Sequence, residues 1–419
     1  MSGRNRIWKI YGTDYKEITK RLLEEADLEG EIRRKCGLPK GSGAACSEAP
    51  PGNTDGIKAP ACRKESGGQP LIGIKPNLVT PSPAEFGATT HPEVVAGIIE
   101  YLQERHFTQI VIAEGSWVGD RTEEAFEYCG YRTLSAKYRV PLWDTQKEKW
   151  HEADCGGMKL AVTDAADRID FLINVPVMKG HCQTKVTCAL KNLKGLIPNA
   201  EKRRFHTMGL HKPIAYLQRA IRQDFIVVDH ICGDLDFEEG GNPVVRNCVM
   251  AALDPVLADS YACYLMHYTP DDVPYIRLAE KLGIGSADLD RAEILTVSGA
   301  SESGAGEKAG SIPPEEEDLP RGRKILEVAY AVEEADSCSA CYGSLVGALR
   351  RLKEEGLLDL LNTPIGIGQG MQGKTGQLGI GRCTKKFAFS VAGCPPDEDK
   401  IYRELKAYIS DHRPRRASL

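Results

Sequence analysis

Four cysteines late in the chain are spaced to hold one inorganic centre. Cys338 and Cys341 form a CxxC, Cys383 follows after 41 residues, and Cys394 after a further 10. A CxxC sets two thiolates on one turn, where both reach the same ion or cluster corner, and the later pair falls in loops after apolar runs. Gly366, Gly368, Gly370, Gly373, Gly376, Gly379 and Gly381 crowd the same stretch and let backbone amides come close to sulfur. A [4Fe-4S] cluster is the leading expectation and structural zinc the alternative, because zinc sites more often show two close CxxC pairs than one pair and two singles. Thiols with no metal are the plainest reading. The Gly-Lys-Thr here is not spaced as GxxxxGK[ST], so no phosphate loop is expected.

A second group of polar residues stands where apolar runs stop, the edge at which an open α/β sheet binds its ligands. Lys75 and Asn77 follow LIGI, Glu114 ends IVIAE, Lys179 and His181 follow NVPVM, and Asp229 and His230 end FIVVDH. The stretch 176–195 adds Thr184, Lys185, Thr187, Lys191, Asn192 and Lys194, and His206 and His211 lie beyond the basic run Lys202, Arg203, Arg204. Lysine runs are often solvated helix faces, but these are interleaved with Val, Leu and Cys. They suit a carboxylate or phosphate. Lys75, Asn77, Glu114, Lys185, Lys191, Asn192 and Asp229 are expected to bind an anionic small molecule. Lys179, His181 and His206 are the candidates for offsetting its charge and moving protons.

Positioning these groups requires a parallel sheet. From residue 70 onward, short apolar runs alternate with helical patterns, which predicts an open, mostly parallel sheet flanked by helices. Helices are expected over residues 13–36, 186–193 and 213–223, and Asp254-Pro255 reads as a helix start with the aspartate as cap. Gly and Pro dominate 41–70, read as a mobile loop, where Cys46 and Cys62 are taken as ordinary thiols. A second biased stretch, 299–322, reads as a linker between an α/β domain (1–298) and a smaller C-terminal α/β domain carrying the four cysteines (323–419). In that domain ILEVAYAVEE and TPIGIGQG read as strands around the helix SLVGALRRLKEEGLLDLL.

The bulk properties narrow the function. A chain of 419 residues exceeds one ordinary core, and a net charge of -5 offers no general surface for nucleic acid or an anionic membrane. No apolar stretch of signal-peptide or membrane-spanning type occurs, so a cytoplasmic protein is expected, with its fourteen cysteines mostly reduced.

The segments IKPNLV, ATTHPEVV, VIAEG, INVPVMKGHCQTKVTCALKNLKGLIP, the histidine at 206, IVVDHICG and LDPVLADSYA, in that order across 71–267, resemble the domain of unknown function 362 family. Membership implies the α/β fold and the strand-end site, and many members carry ferredoxin-like clusters, though the family has no generally established reaction. This chain departs from the usual form in lacking a CxxCxxCxxxCP run. Its Cys394-Pro395-Pro396 is nevertheless similar to bacterial ferredoxin runs and to the GCPP segment of hydrogenase small subunits. The expected function is therefore a redox enzyme or electron-transfer protein acting on an anionic small molecule, with a redox partner protein. Two alternatives stand beside it. One is a non-redox isomerase or racemase of hydroxy-acid type with a metal-nucleotide cofactor, from the likeness of the Lys and His pattern to nickel-dependent lactate racemase. The other is a cluster-carrying accessory protein.

Overall fold

The computed structural model describes residues 3–39, 69–298, 325, 327–335 and 337–412. Residues 41–68 of the anticipated loop, with Cys46 and Cys62, and the whole anticipated linker at 299–322 lie outside the described residues.

Twelve strands precede residue 298: β1 Arg6–Tyr11, β2 Ile72–Pro76, β3 Ile110–Glu114, β4 Leu142–Asp144, β5 Trp150–Asp154, β6 Lys159–Thr163, β7 Phe171–Val175, β8 Lys179–His181, β9 Lys185–Thr187, β10 Phe225–His230, β11 Cys248–Ala252 and β12 Glu293–Thr296. Eight of them form one sheet in the order β12-β1-β11-β10-β7-β2-β3-β4. Every neighbour pair is parallel except those of β11, which runs antiparallel to both β1 and β10. The fold is thus the expected mostly parallel α/β sheet. β5 with β6 and β8 with β9 form separate hairpins.

The central strands are apolar on both faces because helices cover both. Phe225 and Val227 of β10 enter one buried cluster with the helices Tyr15–Glu25 and Pro92–Glu104. Ile226 and Val228 enter the other, with the helices His211–Ala220 and Pro255–Leu265. Asp254 caps the latter helix, accepting from the amides of Val256 and Leu257 at 2.8 and 3.1 Å, as expected. The predicted helix at 13–36 is two helices, Tyr15–Glu25 and Leu28–Cys36, because Asp27 takes a left-handed φ of 51° and caps the second. The predicted helix at 186–193 is β9 followed by the single turn Ala189–Asn192.

Four further strands, β13 Val332–Glu334, β14 Ile365–Ile367, β15 Leu378–Ile380 and β16 Phe389–Val391, make a second sheet in chain order, parallel throughout. The expected strand ILEVAYAVEE is confined to its last three residues. The helices Ser339–Glu354 and Glu398–Asp411 pack beside this sheet, and Leu345, Leu349, Ile365, Leu378, Leu405 and Ile409 form their common core.

Candidate functional site

From β2 the chain passes to β3 on one side and later returns as β7 on the other, so the carboxyl ends of β2 and β7 form a switch point. The residues leaving these ends build the site. Lys75 Nζ donates to Glu114 at 2.8 Å across β2 and β3, and both side chains are buried. Lys75 also donates to the Pro76 carbonyl at 2.7 Å. Glu114 accepts from the amides of Leu78 at 3.0 Å and Gly115 at 2.7 Å. Asn192 Nδ2 donates to Asn174 of β7 at 2.7 Å, tying the turn after β9 to the sheet end. Burial pulls the Lys75 ammonium below the ordinary lysine value, and Glu114 offsets part of that. Gly195 stands where a Cβ would lie 1.9 Å from Glu114 Oε1 and 2.6 Å from Lys75 Nζ, so only glycine leaves room for the pair.

A second network centres on Glu238, a residue the strand-end pattern did not single out. Its carboxylate takes an ion pair from Lys191 and lies 3.1 Å from His181 Nε2. The Lys179 ammonium donates to the Glu238 carbonyl at 2.8 Å and the Ala88 carbonyl at 2.6 Å. His181 Nδ1 accepts from the amides of Gln183 and Thr184, each at 3.1 Å, which leaves the proton on Nε2 to be donated to Glu238. Burial, then the Lys191 charge, lower the His181 pKa to about 4, so the ring is neutral. Burial alone would raise the Glu238 pKa, but Lys191 and His181 hold it well below the ordinary range.

Between these networks opens a cavity of about 400 Å³. Lys75, Asn77, Glu114, Lys191 and Asn192 line it as expected, joined by Lys194, Lys202, His206 and Trp117. Burial lowers Lys202 to about 8, and its ammonium is held by the carbonyls of Gly115 and Ser116 at 2.9 and 2.8 Å. Burial, with Lys191 beside it, lowers Lys194 to about 7. Among the described residues no hydrogen bond or ion pair engages the Lys194 ammonium. His206 is lowered to about 3 by burial and by Lys194, and its Nδ1 is buried without a partner among the described residues. The cavity therefore presents the ammonium of Lys194, the exposed guanidinium of Arg203 and one neutral imidazole.

Four expected site residues stand elsewhere. Lys179 and His181 do not line the cavity, and both contact Glu238, which does. Lys185 points outward from a left-handed turn, φ 62°, towards Asp272 at 3.4 Å. Asp229 turns to the helix side: its Oδ2 accepts from the His91 amide and from His91 Nδ1, each at 2.8 Å. Asp229 thereby lifts the His91 pKa to about 10 against the opposing effect of burial. His211 stacks on Tyr275 with ring centres 5.9 Å apart, away from the cavity.

The four cysteines converge because the second sheet is parallel. Cys338, Cys383 and Cys394 follow β13, β15 and β16 by three or four residues, and parallel strands deliver such loops to one edge. Cys338 caps the helix Ser339–Glu354, so Cys341 lies in its first turn, where the helix dipole favours thiolate. The helix starts five residues earlier than the sequence pattern suggested, and takes in the CxxC. Gln369 Nε2 donates to Cys338 Sγ at 3.4 Å and Gln372 Nε2 to Cys383 Sγ at 3.6 Å. Burial, and then Cys338, Cys383 and Cys394, push the Cys341 thiol up to about 12. Cys338 and Cys394 also line the cavity of Lys75, Lys194 and His206.

Fold and site together define an α/β protein in which a cation-lined crevice at a sheet switch point is faced by a four-cysteine loop cluster. The model of the family described as Domain of unknown function (DUF362) matches residues 72–264 of the chain. It is 25% identical over 225 residues to a thylakoid-associated protein of Synechocystis sp., covering 50% of this chain and 67% of that protein. The lactate racemase apoprotein from Thermoanaerobacterium thermosaccharolyticum aligns with a TM-score of 0.35 and 14% identity over 63% of this chain, which spans 58% of that structure. Among the described residues no helix is long and apolar enough to cross a membrane.

Proposed function

We propose that this chain is an iron-sulfur protein that exchanges electrons with an anionic small molecule held in the cavity. The supporting observation is that Cys338 and Cys394 line the same cavity as Lys75, Lys191, Lys194 and His206.

Four cysteine donors amid glycine-rich loops suit a cluster, with structural zinc the alternative. A Cβ on Gly381 would sit 3.2 Å from Cys341 Sγ, so the backbone there cradles sulfur with no room for a side chain. The amides of Gln369 and Gln372 supply hydrogen bonds of the kind that tune a cluster potential. Cys338, Cys341, Cys383 and Cys394 would hold a [4Fe-4S] cluster, which supplies one-electron transfer at the cavity wall.

The chain's own residues do the rest. Lys194 meets the anionic group of the ligand, and with a pKa of about 7 it also gives or takes a proton near neutrality. Neutral His206 presents a ring nitrogen to the same space. Lys191 and Glu238 form a fixed ion pair at the wall, held from behind by Lys179 and His181. Among the described residues no cysteine is in a disulfide, which suits a reducing cytoplasm.

Purification without oxygen, followed by iron, sulfide and electron paramagnetic resonance measurement, tests the reading. About four iron and four sulfide per chain, with a paramagnetic reduced state, are expected. A colourless protein holding one zinc overturns it. Bound nickel with a nucleotide released on denaturation would point to the isomerase instead, and transfer of an intact cluster to an apo-acceptor would point to a carrier.

A further inference from the structure

No acidic residue occurs between Leu360 and Pro396, although the chain as a whole carries a net charge of -5. The same stretch contains Lys374, Arg382, Lys385 and Lys386, all exposed. On the helical side of this sheet several cations are paired: Arg351 faces Asp399, and Lys406 faces Glu355. Among the described residues no carboxylate pairs with any of the four.

These cations lie close along the chain to the cysteine-bearing loops. Arg382 precedes Cys383 in the turn after β15, and its amide donates to the Gly393 carbonyl at 2.8 Å, joining it to the loop of Cys394. Gln372, two residues before Lys374, donates to Cys383 Sγ. Lys385 and Lys386 continue the same turn. Cys394 is exposed and Cys383 half-buried, so both face solvent at this edge. The cavity meets the tetrad through Cys338 and Cys394, so the cluster position has both a ligand side and a surface side.

We propose that this cationic rim docks an acidic one-electron carrier protein, with the carrier's redox group over Cys383 and Cys394. The proposal rests on the iron-sulfur reading above. The carrier loses one electron and the cluster gains one, and no bond forms or breaks. Complementary charge raises the encounter rate and selects orientation, an effect that weakens with salt. A lipid headgroup would also be drawn to four cations, but three of them, Arg382, Lys385 and Lys386, stand within three residues of Cys383, and electron transfer demands close approach to such a sulfur.

The test uses the full chain purified without oxygen and an acidic plant-type ferredoxin as probe. Binding is measured by calorimetry and cluster reduction by stopped flow, each across a salt series. Binding should weaken with salt, and the triple variant Lys374→Glu, Lys385→Glu, Lys386→Glu should bind at least tenfold more weakly with its iron content and paramagnetic signal unchanged. Failure of ferredoxin to bind, binding indifferent to salt or to charge reversal, or binding instead to phosphatidylglycerol vesicles overturns the docking. A chain without iron sinks the iron-sulfur reading itself, which the metal analysis reports separately from the binding data.

Discussion

The buried ion pair of Lys75 and Glu114 ties two strand ends together and lines the cavity. Removing one partner of such a pair leaves the other charge stranded away from water, which costs about 3–5 kcal/mol. Lys75→Met should lower unfolding free energy by that order in urea titrations, and adding Glu114→Gln should recover part of the loss; a neutral single variant contradicts the pairing. Histidines determine the pH profile. His181 and His230 are held at about 4 and about 3 in the folded chain, below the ordinary 6.5, chiefly by burial. The unfolded chain therefore binds more protons, and stability falls as pH drops from about 6.5 towards 4, by at most about 1.4 kcal/mol per pH unit for each group. His91 has the opposite sign: with a folded value of about 10, its contribution is complete below 6.5 and is lost as pH rises towards 10. Above pH 7 the buried lysines Lys179, Lys194 and Lys202, lowered to about 8, 7 and 8, oppose His91, because the unfolded chain there binds more protons at each of them. The His91 contribution is therefore read as a difference: His91→Gln should be less stable than wild type below pH 6.5, with the gap closing towards pH 10. A gap that does not change with pH would contradict this assignment.

At the scale of elements, the second sheet gathers ligands from distant parts of the chain. Its strands are three residues long, and their parallel register gives the loops after β13, β15 and β16 a common edge. Gly381 tests that arrangement, because it combines a φ of 84° with the close approach to Cys341 Sγ. Gly381→Ala should lower iron per chain severalfold. Gly373→Ala, at φ 83° with nothing within 4 Å of the new Cβ, carries the backbone strain without the clash and should retain its iron. Equal iron in both variants would show that the cradle does not form around the centre.

For the molecule as a whole, the cavity and the cysteine edge share walls, so ligand and electron must influence each other. An anion beside the centre disfavours adding an electron, and by linkage reduction weakens anion binding by the same factor. A tenfold difference in affinity between the two oxidation states corresponds to about 59 mV for a one-electron couple. Potentiometric titration with and without phosphate or oxalate should show the potential falling when anion binds, and Lys194→Met should remove most of the shift. A potential indifferent to both anions would separate the cavity from the centre.

The sequence by itself determined the parallel sheet, since strands buried on both faces, such as FLINV and FIVVDH, read as unbroken apolar runs. It determined the identity of the four cysteines and of Lys75 and Glu114 at the ends of β2 and β3. It did not reveal β1, β11 and β12, whose pairing joins residues more than 200 positions apart. Only the tertiary structure decided which polar groups share a cavity. Asp229 and Lys179 end apolar runs just as Lys75 does, yet side chains at such ends diverge according to what packs beside them, and these two turn to His91 and to the Glu238 carbonyl. Glu238 comes from a loop whose place depends on contacts with β8 and Lys191, and local spacing encodes none of them. Spacing along a chain records neighbours within an element; the convergence of elements is set by the cores that pack them together.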